Sequence, residues 1–183
     1  MLARRPTKAE LDAAYGREVP DLVGPDLRVL LVGINPSLWS AWSGTHFGRP
    51  TNRLWRTLHE SGLTPRLLAP TDVEELLAAG IGITNLVARA TARADELSAD
   101  EVRAGADRLR ALVAGLRPRH VAVLGVTAYR TAFGRPGAKI GVQPEGLEGS
   151  ALWVQPNPSG LNAHYQQPAL TAAYGSLRAA LAD

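Results

Sequence analysis

Apolar residues fall in two kinds of run along this chain, and their alternation lays out the fold. Short unbroken runs read as strands buried on both faces: Val29-Leu30-Leu31-Val32, Ile81 to Leu86, His120 to Gly125 and Ala151 to Gln155. Between them, apolar positions recur at helical spacing. Thr7-x-x-Glu10 is a capping box that opens a short helix running to about Tyr15. Asn52 to His59 puts Leu54, Trp55 and Leu58 on one helical face, with Gly62 as the stop. Thr71-x-x-Glu74 predicts a capped helix ended by Gly80, and Ser98-x-x-Glu101 a long amphipathic one with Val102, Leu109, Leu112 and Val113 inward, ending around Gly115 and Pro118. Thr127 to Phe133 reads as a short helix. Pro168 sits near the first turn of a last helix that runs to about Leu181. Two irregular stretches remain, Asn35 to Thr51 and Gly134 to Gly149; the first, rich in Gly, Ser, Pro and Trp, is long enough to be functional.

Strands alternating with helices imply an α/β fold, a mainly parallel sheet covered on both faces. The 183 residues fit one domain, with no internal repeat and no linker. Cysteine is absent, which excludes disulfides, thiolate metal sites and a cysteine nucleophile. No apolar stretch approaches the ~20 residues needed to cross a bilayer. The start, Met1-Leu2-Ala3-Arg4-Arg5-Pro6, has no apolar core behind its charges. The expectation is a cytoplasmic protein with no membrane partner, nucleoid-associated in a bacterium. The net charge is +3 and the pI about 9.7, with lysine only at Lys8 and Lys139. An arginine-dominated balance permits phosphate partners without demanding them.

Candidate chemistry gathers at two asparagine-proline segments. Gly33-Ile34-Asn35-Pro36-Ser37 follows the first strand and Asn157-Pro158-Ser159-Gly160-Leu161 the last. In an open α/β sheet, ligands bind beyond the carboxyl ends of the strands, so the two turns suggest one site built from both ends of the sequence. Gly33 allows a close backbone approach, and Pro36 biases Asn35 toward an extended conformation that aims its amide. The carbonyl oxygen of such an amide can hold a water. Each segment also has a plain reading, Asn-Pro as a strand-to-loop turn and Leu161 as a cap folded onto the core. Against that, proteins that unstack DNA insert apolar side chains between base steps.

Taken with Phe47, the stretch Pro50-Thr51-Asn52-Arg53-Leu54-Trp55 and the middle piece Gly82-Ile83-Thr84-Asn85-Leu86-Val87, these segments closely resemble the mismatch-specific uracil-DNA and thymine-DNA glycosylase family of the uracil-DNA glycosylase superfamily. The likeness runs from Val29 to Leu181 and leaves the amino-terminal helix and loop (1–27) outside the family core. It implies a three-layer α/β/α sandwich with a central, mainly parallel four-stranded sheet. It further implies a monomer that removes uracil, and other damaged pyrimidines, from double-stranded DNA containing uracil or mismatches, with no metal or organic cofactor. On this resemblance Asn35 positions the attacking water, Phe47 stacks on the extruded base and Ser40 lies beside it. Asn157 binds the base, and Gly160 with Leu161 form the wedge that enters the stack.

The chain departs from the pattern in places. Ser37 replaces a glycine, Trp39 and Trp42 are bulky, and Asn85 stands where some relatives carry a lysine, so no amine nucleophile is placed there. Asp95 stands where relatives typically have an asparagine. Either it acts as a general base and stabilises positive charge on the sugar, or it is an acid ahead of the Ser98-capped helix. Arg49, Arg53, Arg89 and Arg93 cluster around these segments, as phosphate contacts or as ordinary solvated arginines. A module that binds mismatched or abasic DNA without cutting the glycosidic bond is the alternative. An enzyme of free nucleotides is disfavoured because the glycine-rich phosphate loops are missing.

Overall fold

Five strands make one sheet in the computed structural model, which describes residues 4–182. The first three residues of the start, Met1-Leu2-Ala3, lie outside the described residues. In chain order the strands are β1 (Val29–Gly33), β2 (Ile81–Asn85), β3 (His120–Leu124), β4 (Gly141–Val142) and β5 (Ala151–Gln155), arranged β2-β1-β3-β5-β4. The first three and β5 are parallel; β4 pairs antiparallel with β5 at the edge. A sheet of four strands was expected, and β4 is the addition. Its two residues are too few to show a period, and they lie inside the glycine- and proline-rich stretch read as irregular.

The apolar runs are continuous because both faces of the sheet are buried. On one face Leu31, Ile83, Leu124 and Trp153 pack against α3 (Leu54–Glu60), α4 (Val73–Ala78) and α7 (Gln167–Ala180). On the other, Leu30, Val32, Val123 and Val154 meet α5 (Ala99–Leu116) and α6 (Val126–Phe133). Helices on both sides of a mainly parallel sheet make the expected three-layer sandwich.

Most helix boundaries follow local chemistry. Ser98 and Glu101 form the predicted capping box of α5, and Thr7 and Glu10 that of α1 (Lys8–Asp12). Thr71 does not cap α4: Asp72 takes the N-cap position and its carboxylate turns back to accept from the Ala69 amide at 2.9 Å. Arg117, in the left-handed region at φ 50°, ends α5 one residue before Pro118. The long loop after β1 also holds an unexpected helix, α2 (Leu38–Ser43), capped by Ser37 and closed by Gly44. Ser37 thus has a local role: its hydroxyl accepts from the Ser40 amide at 3.1 Å, which a glycine cannot do. Trp42 packs with α1-side residues in a satellite cluster around Ala14, Val19, Ala41 and Ala90, edge-on to Trp39.

The chain leaves β1 for β2 on one side and returns to β3 on the other, so the strand order reverses between β1 and β3. Crevices at such reversals receive ligands. Residues 16–22 brace the outer edge of β2 and the loop that follows it. Leu22 and Ile83 exchange backbone hydrogen bonds at 2.8 Å, and Ala90 exchanges bonds with Gly16 and Arg17.

Candidate active site

A cavity of ≈ 340 Å³ opens beyond the carboxyl ends of the parallel strands, and both asparagine-proline turns line it. Gly33, Ile34 and Asn35 come from the end of β1, Ser40 and Phe47 from the following loop, and Asp95 from a single 3-10 turn, Ala94–Glu96. Asn157, Gly160 and Leu161 close the opposite wall. Every candidate site residue therefore faces one space, although the turns are more than a hundred residues apart in sequence.

The Asn35 amide is oriented by its neighbours. Nδ2 donates to the Arg89 carbonyl at 3.0 Å and to Thr91 Oγ1 at 2.8 Å. Thr91 gives its own proton to the Arg93 carbonyl at 2.7 Å, so toward Asn35 its oxygen can only accept. Both contacts demand the nitrogen, and the carboxamide oxygen is the end left over for the cavity. The Arg89 segment is itself pinned, because its guanidinium makes a two-point ion pair with Glu101 (2.6 and 3.0 Å). That guanidinium, with the Ser98 amide, holds the Glu101 carboxyl down to about 2. Thr91 carries no signal in sequence, since it sits in an unpatterned Arg-Ala-Thr-Ala-Arg stretch.

The floor is a close-packed trio. Gly33 lies opposite Asn85 in the β1–β2 register. A Cβ at Gly33 would collide with Asn85 Oδ1 and lie 3.1 Å from Phe47 Cζ. Gly33 does not have a positive φ; its value here is the close approach of two side chains. Phe47 does, at φ 50°, an uncommon conformation for a bulky residue and one that strained functional positions favour. Two contacts hold it: Trp55 Nε1 donates to its carbonyl at 3.2 Å, and the next amide, Gly48 N, donates to Ser40 Oγ at 3.3 Å. Asn85 had been weighed only as a missing lysine; a polar residue ending a buried strand was its sequence signal. Its backbone carbonyl accepts from Arg108 at 2.9 Å.

On the opposite wall, Asn157 Oδ1 accepts from the Ser159 amide at 3.0 Å, which leaves its NH₂ as the free end. Asn162 Nδ2 reaches back to the Asn157 carbonyl at 2.9 Å. The segment just before is tied to α7, where the buried Tyr174 hydroxyl donates to the Pro156 carbonyl at 3.2 Å. Leu161 is not folded onto the core: it is 79% exposed at the rim.

Charges around the mouth separate into committed and free. Asp95 is 69% exposed in its side chain and paired with Arg93 at 2.9 Å. Arg53 turns inward onto backbone carbonyls, and Arg89 is committed to Glu101. Arg49, exposed at the cavity rim, makes no ion pair among the described residues and is the arginine best placed for a phosphate. His46 is buried against the cavity, with Nε2 donating to the Pro20 carbonyl at 2.8 Å. Burial holds its imidazole below the ordinary value, against opposing pulls from Pro20 and Asp21. Among the described residues, no group of three or more His, Asp or Glu is placed to hold a metal ion. Neither lysine lines the cavity.

The family model described as the Uracil DNA glycosylase superfamily matches residues 20–178, a span that contains every cavity-lining residue named above.

Proposed function

The chain belongs to the uracil DNA glycosylase superfamily, and from that premise we propose that it is a monofunctional, mismatch-directed DNA glycosylase, taking uracil, and thymine or related pyrimidines, from positions opposite guanine. The observation that carries this reading is an exposed leucine beside a cavity of ≈ 340 Å³ whose asparagine amide presents its oxygen inward.

In this mechanism Leu161 enters the stack as the target nucleotide swings out. Eversion costs a few kcal/mol, least at a mismatch, which favours mispaired targets. Phe47 stacks on the ring, while Asn85 and the Asn157 NH₂ hydrogen-bond its polar edges. The backbone amides at Ile34 and Asn35 stabilise negative charge on the departing base, as an oxyanion hole does. Water held by Asn35 Oδ1 attacks C1′ of the sugar. The C1′–N1 bond breaks with its electron pair passing to the base, and the water proton goes to the base or to solvent. A free pyrimidine and an abasic site remain. With no lysine in the cavity, no Schiff base forms and the strand stays intact. Asp95, solvated and offset by Arg93, contributes only a weak field at the sugar.

The exposure of Asp95 and its pairing with Arg93 also fit a module without a strong base, which binds lesions and turns over slowly or not at all. Incubating the protein with duplexes carrying G·U, A·U or G·T, then treating with alkali, separates the two. The glycosylase reading expects free base and alkali-dependent cleavage, strongest for G·U. Tight binding with no released base in any duplex contradicts it.

A further inference from the structure

Extending the glycosylase reading, on which it rests, we infer that Arg53 is the positioning residue of the wedge: it clamps the turn that carries Leu161 at the height needed to enter a stacked duplex. Its guanidinium donates to the Tyr165 carbonyl at 2.7 Å, the Ser159 carbonyl at 2.6 Å and the Asn162 carbonyl at 3.0 Å. Its backbone amide donates to the Pro158 carbonyl at 2.9 Å. One residue thereby spans both limbs of the turn, from before Leu161 to after it.

The chemistry of the contact points to positioning. Among the described residues Arg53 has no carboxylate partner, and its Nε is buried without a hydrogen bond. Taking a guanidinium out of water is costly, and here the compensation comes from carbonyls of a single short turn. A planar fork of five donors reaches diverging carbonyls that a single ammonium cannot span. The clamp has a firm root, because Leu54, Trp55 and Leu58 directly after it are core residues. The turn also leans on the same segment at Gly160, where a Cβ would lie 2.5 Å from the Thr51 carbonyl oxygen. Beyond this, Leu161 is held only by short-range bonds such as its amide to Ser159 Oγ at 3.2 Å. Asn35, by contrast, is oriented from residues 89–91 and owes nothing to Arg53. Loss of the clamp therefore impairs eversion and leaves bond cleavage intact.

The test uses Arg53→Met, which keeps the apolar stem, and Arg53→Lys, which keeps the charge, each checked by thermal melting. Single-turnover uracil release is measured on two duplexes: uracil opposite guanine in a stacked context, and uracil opposite an abasic site, where extrusion is easier. The Met variant is expected to lose about tenfold on the stacked target and no more than about threefold on the loosened one, the selective cost of a misplaced element. The Lys variant should fall between, and adding Leu161→Ala should cost nothing further. Equal losses on both duplexes, no loss on either, or full additivity with Leu161→Ala overturns the inference. A 2-aminopurine beside the target reads unstacking without turnover, and it serves if wild type releases no base. Wild type should brighten it on binding, and Arg53→Met should not. If wild type brightens it and releases nothing, the glycosylase reading fails and the clamp stands; if wild type leaves it dark, or if the Met or Lys variant brightens it as wild type does, the clamp fails.

Discussion

The two walls of the cavity are held in opposite ways. On the β1 wall the side chain is fixed: the Asn35 amide is bound at two acceptors, and the segment supplying them is pinned by Arg89 and Glu101. On the β5 wall the backbone is fixed, through Arg53 and the Asn157–Asn162 bond, while the Leu161 side chain meets solvent. The difference follows from the two tasks. A group that places a water must have its rotamer locked by neighbours. A wedge needs a rigid base and a tip free of intramolecular partners.

That contrast can be broken from either wall. The largest effect is expected from Asn35→Ala, with a loss on the order of 10²–10⁴-fold in single-turnover base release and little change in DNA binding. Gly33→Ala comes next, at about 10²-fold, because the new methyl displaces Asn85 and Phe47 together; a normal rate would show that the floor is not closely packed during reaction. Leu161→Ala should slow release roughly tenfold on stacked targets, with stability changed by no more than ~0.5 kcal/mol as for an exposed residue. Thr91→Val should cost a few-fold to about tenfold in rate, since one of two amide anchors survives. If it costs nothing, the β1 wall is not held through its side chain.

Acid sharpens the comparison, because two of the groups whose titration is shifted, Glu101 and His46, belong to the β1 wall. Glu101 is depressed to about 2 from an ordinary 4.5, so its contribution to stability is present above pH 4.5 and lost as pH falls from there toward 2. His46 is also depressed, so the unfolded chain takes the proton first and stability declines as pH drops below the ordinary 6.5. Melting temperature against pH should show both limbs, and Glu101→Gln should shrink the lower one, to which Glu10, Glu60 and Asp72 also contribute, and leave the upper one unchanged. The smallest effect is expected from Asp95→Asn, within about threefold in rate, as befits a solvated and paired carboxylate.

How much of this was legible in the sequence follows from range. The strands and α5 were, because continuous apolar runs and a capping box are local signals. The meeting of residues 33–35 with 157–161 was also legible, since parallel strands send their carboxyl ends the same way. What stayed hidden depends on distant partners. Thr91 has no pattern of its own, and β4 and α2 are too short to show a period. Arg53 reads equally as a phosphate contact or a solvated arginine, because nothing in its surroundings announces three carbonyls contributed from more than a hundred residues away.

One measurement separates the walls directly: unstacking, followed by 2-aminopurine fluorescence, and uracil release, timed on the same G·U duplex for Asn35→Ala and Leu161→Ala. The Asn35 variant should unstack the duplex at the wild-type rate and then release almost no uracil. The Leu161 variant should be slow at the unstacking step itself. Both variants stalling at the same step would contradict the division of labour on which this account rests.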